Sequence, residues 1–330
     1  MRFIPVYLSI FFMHNAYAQL LPSYGDSRTA TTGWQFLKIN PDAHAAGLSE
    51  SYLASVKDVG ALYWNPAGLT RLDSNKIHFT VSHTDYVAGT NAEFAGFVYR
   101  LGDNTLIGAS VQYFDSGVMD VTTEFLPKGT GQTFRATDVG IGLSLARELT
   151  EQFSFGVTAK YVRENLASVH NQNMVFDFGF QYNIGMANTR FAVGLQSFGF
   201  NTTPSGQIET TLLSGDTLLT DFTEIAVPTV FRLGFAWDAV KNERNVLTAA
   251  AQLNHPTDNN ESYSLGVEYG WNEIFFARTG YTFATDIASF PSLGFGLQLK
   301  KHFGTVKLDY GFNYQNSLGV INRIGFAATL

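Results

Sequence analysis

The chain has 330 residues, a formal net charge of −7, no cysteine, and only 15% charged residues against 15% aromatic ones. An acidic balance without a basic cluster excludes nucleic acid as a partner, and the missing cysteines exclude disulfides, thiolate metal sites and a lipid-modified N-terminal cysteine. Soluble domains carry about 25% charged residues, so a water-soluble chain this poor in charge would struggle to cover its surface.

The N-terminus reads "MRFIPVYLSIFFMHNAYAQ". One positive charge precedes an apolar run from Phe3 to Met13, and Ala16-Tyr17-Ala18 stands before Gln19. This pattern predicts a secretory signal peptide over residues 1–18. The apolar run is too short to span a membrane as a helix, which needs about 20 residues.

Residues 19–75 show no alternation and read as loop and short helix. Helical pieces are expected in "PDAHAAG" and "SYLASVKDVGALYWNPAG", with Ala61, Leu62 and Trp64 on an apolar face. Pro66 stops the helix or opens a new turn. The segment has no spanning length, so it must sit in the periplasm or inside a lumen. Its aromatic knot, Trp64, Asn65, Pro66, Ala67 and Gly68, is expected to form a plug against the inside of the first strands.

From residue 76 to the C-terminus one pattern repeats: about 14 segments of about 9–11 residues alternate apolar and polar side chains. In "TVKLDYGFNY", Val306, Leu308, Tyr310, Phe312 and Tyr314 share one face, while Lys307, Asp309, Gly311 and Asn313 share the other. Soluble sandwich strands average about 5–6 residues; strands of about 10 cross a bilayer when tilted. Connections alternate in length, short at 101–104, 270–273 and 301–304, long at 116–133, 165–173, 198–228 and 282–291. Short periplasmic turns with longer outer loops belong to an outer-membrane barrel. The fold class is therefore all-β, a transmembrane outer-membrane barrel of about 14 antiparallel strands over 76–330 with an N-terminal plug over 19–75.

Leu143, Phe178, Phe295, Leu308 and Phe312 are expected to face lipid. The inward face holds glycines such as Gly108, Gly156, Gly179, Gly266 and Gly311, which leave room for the plug, and both signs of charge, including Asp177, Glu268, Arg278, Lys307 and Asp309. The long outer loops carry apolar residues that a solvated loop does not need: Phe125 and Leu126 in one, Leu212, Leu213, Leu218, Leu219 and Phe222 in the other. Such exposed apolar patches mark interaction sites, which makes these loops the candidate partner-docking surface.

No G-x-S-x-G and no H-E-x-x-H occurs. "GIGLSL" and "GFGLQL" lie on strands with no helix to cradle a phosphate. His78 and His83 fall on opposite faces of one strand and cannot share a metal. Neither catalytic residues nor a metal or cofactor are expected, so the chain reads as a non-enzyme.

The segment "GWQFLKINPDAHAAGLSESYLASVKDVGALYWNPAGLTRL" resembles the N-terminal signature of the PorV/PorQ family of outer-membrane proteins. Phe36-Leu37-Lys38-Ile39, Ala45-Ala46-Gly47, Asp58 and the run Ala61 to Leu69 carry the likeness, and "TDVGIGLSLARELTEQFSFGVTAKY" (137–161) extends it. His44 stands where family members usually have Arg, and Ser49-Glu50 where they have a Gly-Gly pair. The family is similar in fold to FadL-type channels, 14-stranded barrels closed by an N-terminal hatch. The resemblance implies a component of the type IX secretion system in the outer membrane of a Gram-negative bacterium. Its implied partners are outer-membrane lipid, other secretion-system proteins and the C-terminal signal domains of cargo. The alternative it leaves open is a FadL-like channel for uptake of hydrophobic small molecules.

Overall fold

The computed structural model describes residues 28–29, 31–185, 188–207, 209–211, 217–219, 221–284, 290–301, 304–316 and 318–330. The expected signal peptide lies outside the described residues.

The strands are β1 Ile77–Asp85, β2 Asn91–Gly102, β3 Thr105–Asp120, β4 Thr133–Thr150, β5 Phe153–Leu166, β6 Val169–Asn183 and β7 Thr189–Gly199, then β8 Glu209–Thr211 and β9 Thr217–Leu219. They continue with β10 Val230–Lys241, β11 Asn245–Pro256, β12 Ser262–Trp271, β13 Phe275–Phe283, β14 Ser292–Lys301, β15 Gly304–Gln315 and β16 Gly319–Thr329. All but β8 and β9, which form a small hairpin of their own, close into one antiparallel barrel of fourteen strands. Closure is made by β1 on β16, in register from His78 opposite Thr329 to Asp85 opposite Asn322. In lipid, unpaired backbone groups are costly, so a sheet that crosses the bilayer must close.

The period-two pattern sets the faces. In β4, Gly140, Gly142, Ser144 and Ala146 turn inward, while Ile141, Leu143 and Leu145 are exposed on the outside, Leu143 by 67%. Leu308 and Phe295 are likewise exposed on the outer wall. This apolar belt is a lipid-facing surface, and the chain is an outer-membrane barrel.

Strands β3 to β6 are longer than the sequence pattern indicates, at 16, 18, 14 and 15 residues. Two expected loops shrink accordingly. The segment 116–133 is a loop only between Asp120 and Thr133, and 165–173 collapses to a turn at Ala167 and Ser168, with Ala167 at φ 50°. Above the belt, outward positions such as Arg135, Thr137, Arg163 and Gln172 are polar, yet the ladder continues. Apolar alternation marks the depth of lipid; it does not mark the end of the strand.

The expected helices shorten too. Within the two expected helical pieces, Ala43–Gly47 and Ala61–Trp64 are α-helical, with 3-10 turns at Gln35–Lys38 before them and at Pro66–Arg71. Ser49 and Glu50 adopt left-handed φ of 49° and 67°. Wall side chains replace helical hydrogen bonds in between. The Leu53 N–H donates to Gln252 Oε1 (2.9 Å), and Gln181 Nε2 donates to the Ala54 carbonyl (2.8 Å).

Residues 32–76 run the length of the lumen. At the outer end, Gly33 N–H donates to the Ala226 carbonyl, and Trp34, Phe36 and Leu37 pack with Val162, Val175 and Val227. In the middle, Tyr52, Leu62, Trp64 and Leu69 pack with Phe94, Val98 and Leu106 of the wall. At the periplasmic end, Arg100 Nη2 donates to the carbonyls of Leu72 (2.8 Å) and Asp73 (2.9 Å). The hydrophobic core of this barrel is its lumen.

Candidate functional site

The plug is fitted to the wall by backbone approach. A Cβ on Gly156 would run into the backbone of Pro66 and Ala67, and one on Gly266 or Gly280 into Leu48. Gly47 opposes Gly294, and Gly311 opposes the Ala43 carbonyl and Ala46. The small residues of Ala43–Gly47 therefore face glycines across the boundary, which is the only way two backbones reach such distances.

The knot Trp64 to Gly68 sits inside the barrel, buried throughout. Asn65 is its hub. Its Oδ1 accepts from the Ala67 N–H (3.1 Å), capping the turn that Pro66 begins, and its Nδ2 donates to the carbonyls of Phe180 (3.2 Å) and Leu53 (3.4 Å). An N-cap asparagine followed by proline at the first helical position is the favoured start of such a turn. Trp64 lies under the Arg232 guanidinium, 4.8 Å from the ring centre. Arg232 bonds Gln196, and Gln196 Nε2 donates to the Trp64 carbonyl (3.1 Å). Gly68 packs on Val56, and Ala67 is fully buried.

Six ionisable groups close a ring between plug and wall. His44 of the plug lies 2.7 Å from Glu268, which binds Arg278 (2.5 Å); Arg278 binds Asp309 (2.6 Å), and Asp309 lies 3.3 Å from Lys307. Lys307 binds Asp58 of the plug (3.0 Å), and Asp58 returns to His44 (3.4 Å). Bases and acids alternate all the way round. Burial would raise the Asp58 carboxyl, but Lys307 and His44 outweigh it and hold it well below the usual carboxylate range. Nearby, burial and then the Asp58 charge push the Asp42 carboxyl up to about 6. Asp42 still caps its helix, accepting from the His44 N–H at 2.9 Å. Lys160 pairs with Asp177, and Arg190 with Asp238. These carboxylates are thus paired with bases, as structural groups are, whereas Asp138 and Glu164 stand opposite each other on β4 and β5.

At the outer mouth, Asp258 gathers the start of the plug. It accepts from Lys38 (2.9 Å), Gln35 (2.8 Å) and Thr32. Sequence reasoning missed this clamp and the ring's closure, because spacing along the chain carries no signal for either.

Among the described residues, the lumen holds cavities of about 30, 10 and 10 Å³ beside the plug. The expected docking residues are placed unevenly. Phe125 (80% exposed) and Leu126 (51%) stand at the tip of the β3–β4 connection, and Val118 is exposed near the end of the ladder on β3. Phe222 is half-buried. Leu218 and Leu219 belong to β9, and Leu212 and Leu213 lie outside the described residues. His78 is buried inside and His83 lies outside, and no cluster of metal-ligating side chains occurs among the described residues.

Comparison with curated protein sequences gives no match. The model of the family described as "Type IX secretion system protein PorV" matches residues 23–184. Among solved structures, the chain is similar to the CymD monoaromatic hydrocarbon channel, with TM-score 0.62 and 12% identity over 88% of this chain and 98% of that one. It is also similar to the toluene transporter TbuX of Ralstonia pickettii, at TM-score 0.57 and 15% identity over 82% and 92%. A FadL homologue of Pseudomonas aeruginosa aligns at TM-score 0.54 and 12% identity over 87% and 97%. At such identities the likeness speaks for the fold alone. The chain is a plugged outer-membrane β-barrel with a FadL-like fold, and its residues 23–184 match the family of the type IX secretion system protein PorV.

Proposed function

We propose that this barrel serves type IX secretion by binding protein partners at its outer face, namely C-terminal signal domains of secreted cargo or other components of the machinery. The observation that carries this reading is the contrast between interior and rim. The lumen is filled by residues 32–72 and tied to the wall by the ionic ring, and the cavities found beside the plug hold about 30, 10 and 10 Å³. A channel for hydrophobic molecules needs a continuous apolar pocket of some hundreds of cubic ångströms. The rim, by contrast, raises strands β3 to β6 beyond the lipid belt and exposes Phe125, Leu126 and Val118 to solvent. Exposed aromatic and aliphatic side chains on a rigid support are the usual anchors of protein interfaces.

The likeness to hydrocarbon channels favours the second reading, uptake of hydrophobic small molecules. The two separate in one experiment on the full-length barrel. A purified C-terminal signal domain should bind the reconstituted barrel, and toluene flux into vesicles carrying it should equal that of empty vesicles. Flux without binding would overturn the proposal.

A further inference from the structure

The outer wall carries a depression of molecular size. Strands β1, β2, β3 and β16 form a groove of about 410 Å³ lined by Val81, Ala95, Val111, Tyr113, Ile324 and Phe326. Its floor is intact sheet: Val81 pairs with Ala95 and with Phe326, and Ala95 pairs with Val111. The groove is therefore not a hole into the lumen. It arises because Ala95, a methyl group, stands among larger outward side chains. Its volume falls within the range of about 300–1,000 Å³ typical of small-molecule sites, and its lining is apolar in a surface that faces lipid.

One end is charged. Strand β1 begins at the periplasmic side and ends at Asp85, so residues 83 to 85 lie at outer-leaflet height. There His83 Nδ1 lies 2.6 Å from Glu93 Oε1, and its Nε2 lies 3.2 Å from Asp85 Oδ1. His83 and Glu93 also line the groove, each side chain 47% exposed. Ionisable groups on a membrane wall are expensive and are functional candidates by default. A single imidazole between two carboxylates leaves oxygen acceptors in excess, and that excess favours a cationic donor over a phosphate.

We propose that the groove holds one acyl chain of an outer-leaflet lipid whose headgroup presents an ammonium to Glu93 and Asp85. The apolar lining takes the chain, the position along β1 puts the cluster at headgroup height, and the sign of the cluster selects the headgroup.

The test uses the full-length barrel, delipidated in detergent, incubated with phosphatidylethanolamine or phosphatidylglycerol in mixed micelles, and read by native mass spectrometry. Wild type should retain one phosphatidylethanolamine after other lipids are stripped. Phosphatidylglycerol should be held about tenfold more weakly, the effect of losing one charge-assisted hydrogen bond. Ala95→Trp fills the groove and should abolish retention of both. Glu93→Gln with Asp85→Asn keeps the groove and should erase the headgroup preference. This second variant changes only exposed oxygens to amides, so it remains informative if Ala95→Trp does not fold. Equal retention by wild type and Ala95→Trp, or an unchanged preference in the amide variant, would overturn the proposal.

Discussion

Asn65 and Gly179 meet across the plug–wall boundary so closely that a methyl group on Gly179 would overlap the Asn65 side-chain oxygen. The same holds at Gly156, where the obstacle is the backbone of Pro66 and Ala67 and cannot rotate away. Gly156→Ala should therefore cost about 1–3 kcal/mol, the usual penalty of overpacking. Gly102, with open space around it, should tolerate Ala within about 0.5 kcal/mol. Urea midpoints read by heat-modifiable migration on gels compare the two. Equal midpoints would mean that the plug does not press on the wall.

The ionic ring predicts an asymmetric response. Lys307→Met leaves Asp58 and Asp309 with one base fewer in a buried site and should destabilise by about 3–5 kcal/mol. His44→Arg keeps a base between Glu268 and Asp58 and should cost far less. The same unfolding assay decides, and a mild Lys307→Met would show that the ring is not cooperative.

Stability should carry a pH signature from Asp42. Its carboxyl ionises near 3.8 in an ordinary setting and near 6 in the fold. Its contribution is therefore full below about pH 4 and is lost as pH rises to 6. Asp42→Asn keeps an oxygen to cap the His44 N–H but has no charge to bury. The variant should exceed wild type by about 1–3 kcal/mol at pH 7.5, with the difference closing by pH 4. A difference that stays constant between pH 4 and 7.5 would contradict it. Asp58 has the opposite sign, since its depressed carboxyl stabilises above the ordinary range and fails on acidification.

Leu143 and Leu126 are both exposed, one to lipid and one above it. Leu143→Arg should cost about 2–4 kcal/mol of folding into bilayers. Leu126→Arg should stay within about 0.5 kcal/mol. Folding yields in vesicles across a urea series provide the measurement, and similar costs would undo the depth assignment.

For the docking proposal, Phe125→Asp with Leu126→Asp should weaken binding of a C-terminal signal domain by about thirtyfold, as loss of an anchor worth about 2 kcal/mol does. Because both residues stand clear of the wall, gel migration should be unchanged. Surface plasmon resonance on the reconstituted barrel measures it, and unaltered affinity would move the docking surface elsewhere on the rim.

The sequence by itself determined the barrel. Alternation in stretches such as "TVKLDYGFNY" fixes which side of each strand meets lipid, because successive side chains point to opposite faces whatever surrounds them. It also placed glycines and charges on one shared face, and it marked Trp64 to Gly68 as a knot apart from the strands. Tertiary structure alone decided where the strands end, since β3 to β6 continue beyond the belt on backbone pairing after the apolar signal has stopped. It decided that residues 48–60 turn instead of forming helix, with the Leu53 N–H and the Ala54 carbonyl satisfied by Gln252 and Gln181 of the wall. It also brought His44 and Asp58 to Glu268 and Lys307, more than 200 positions away, which no local pattern encodes because the ring exists only once the plug is inside a closed barrel.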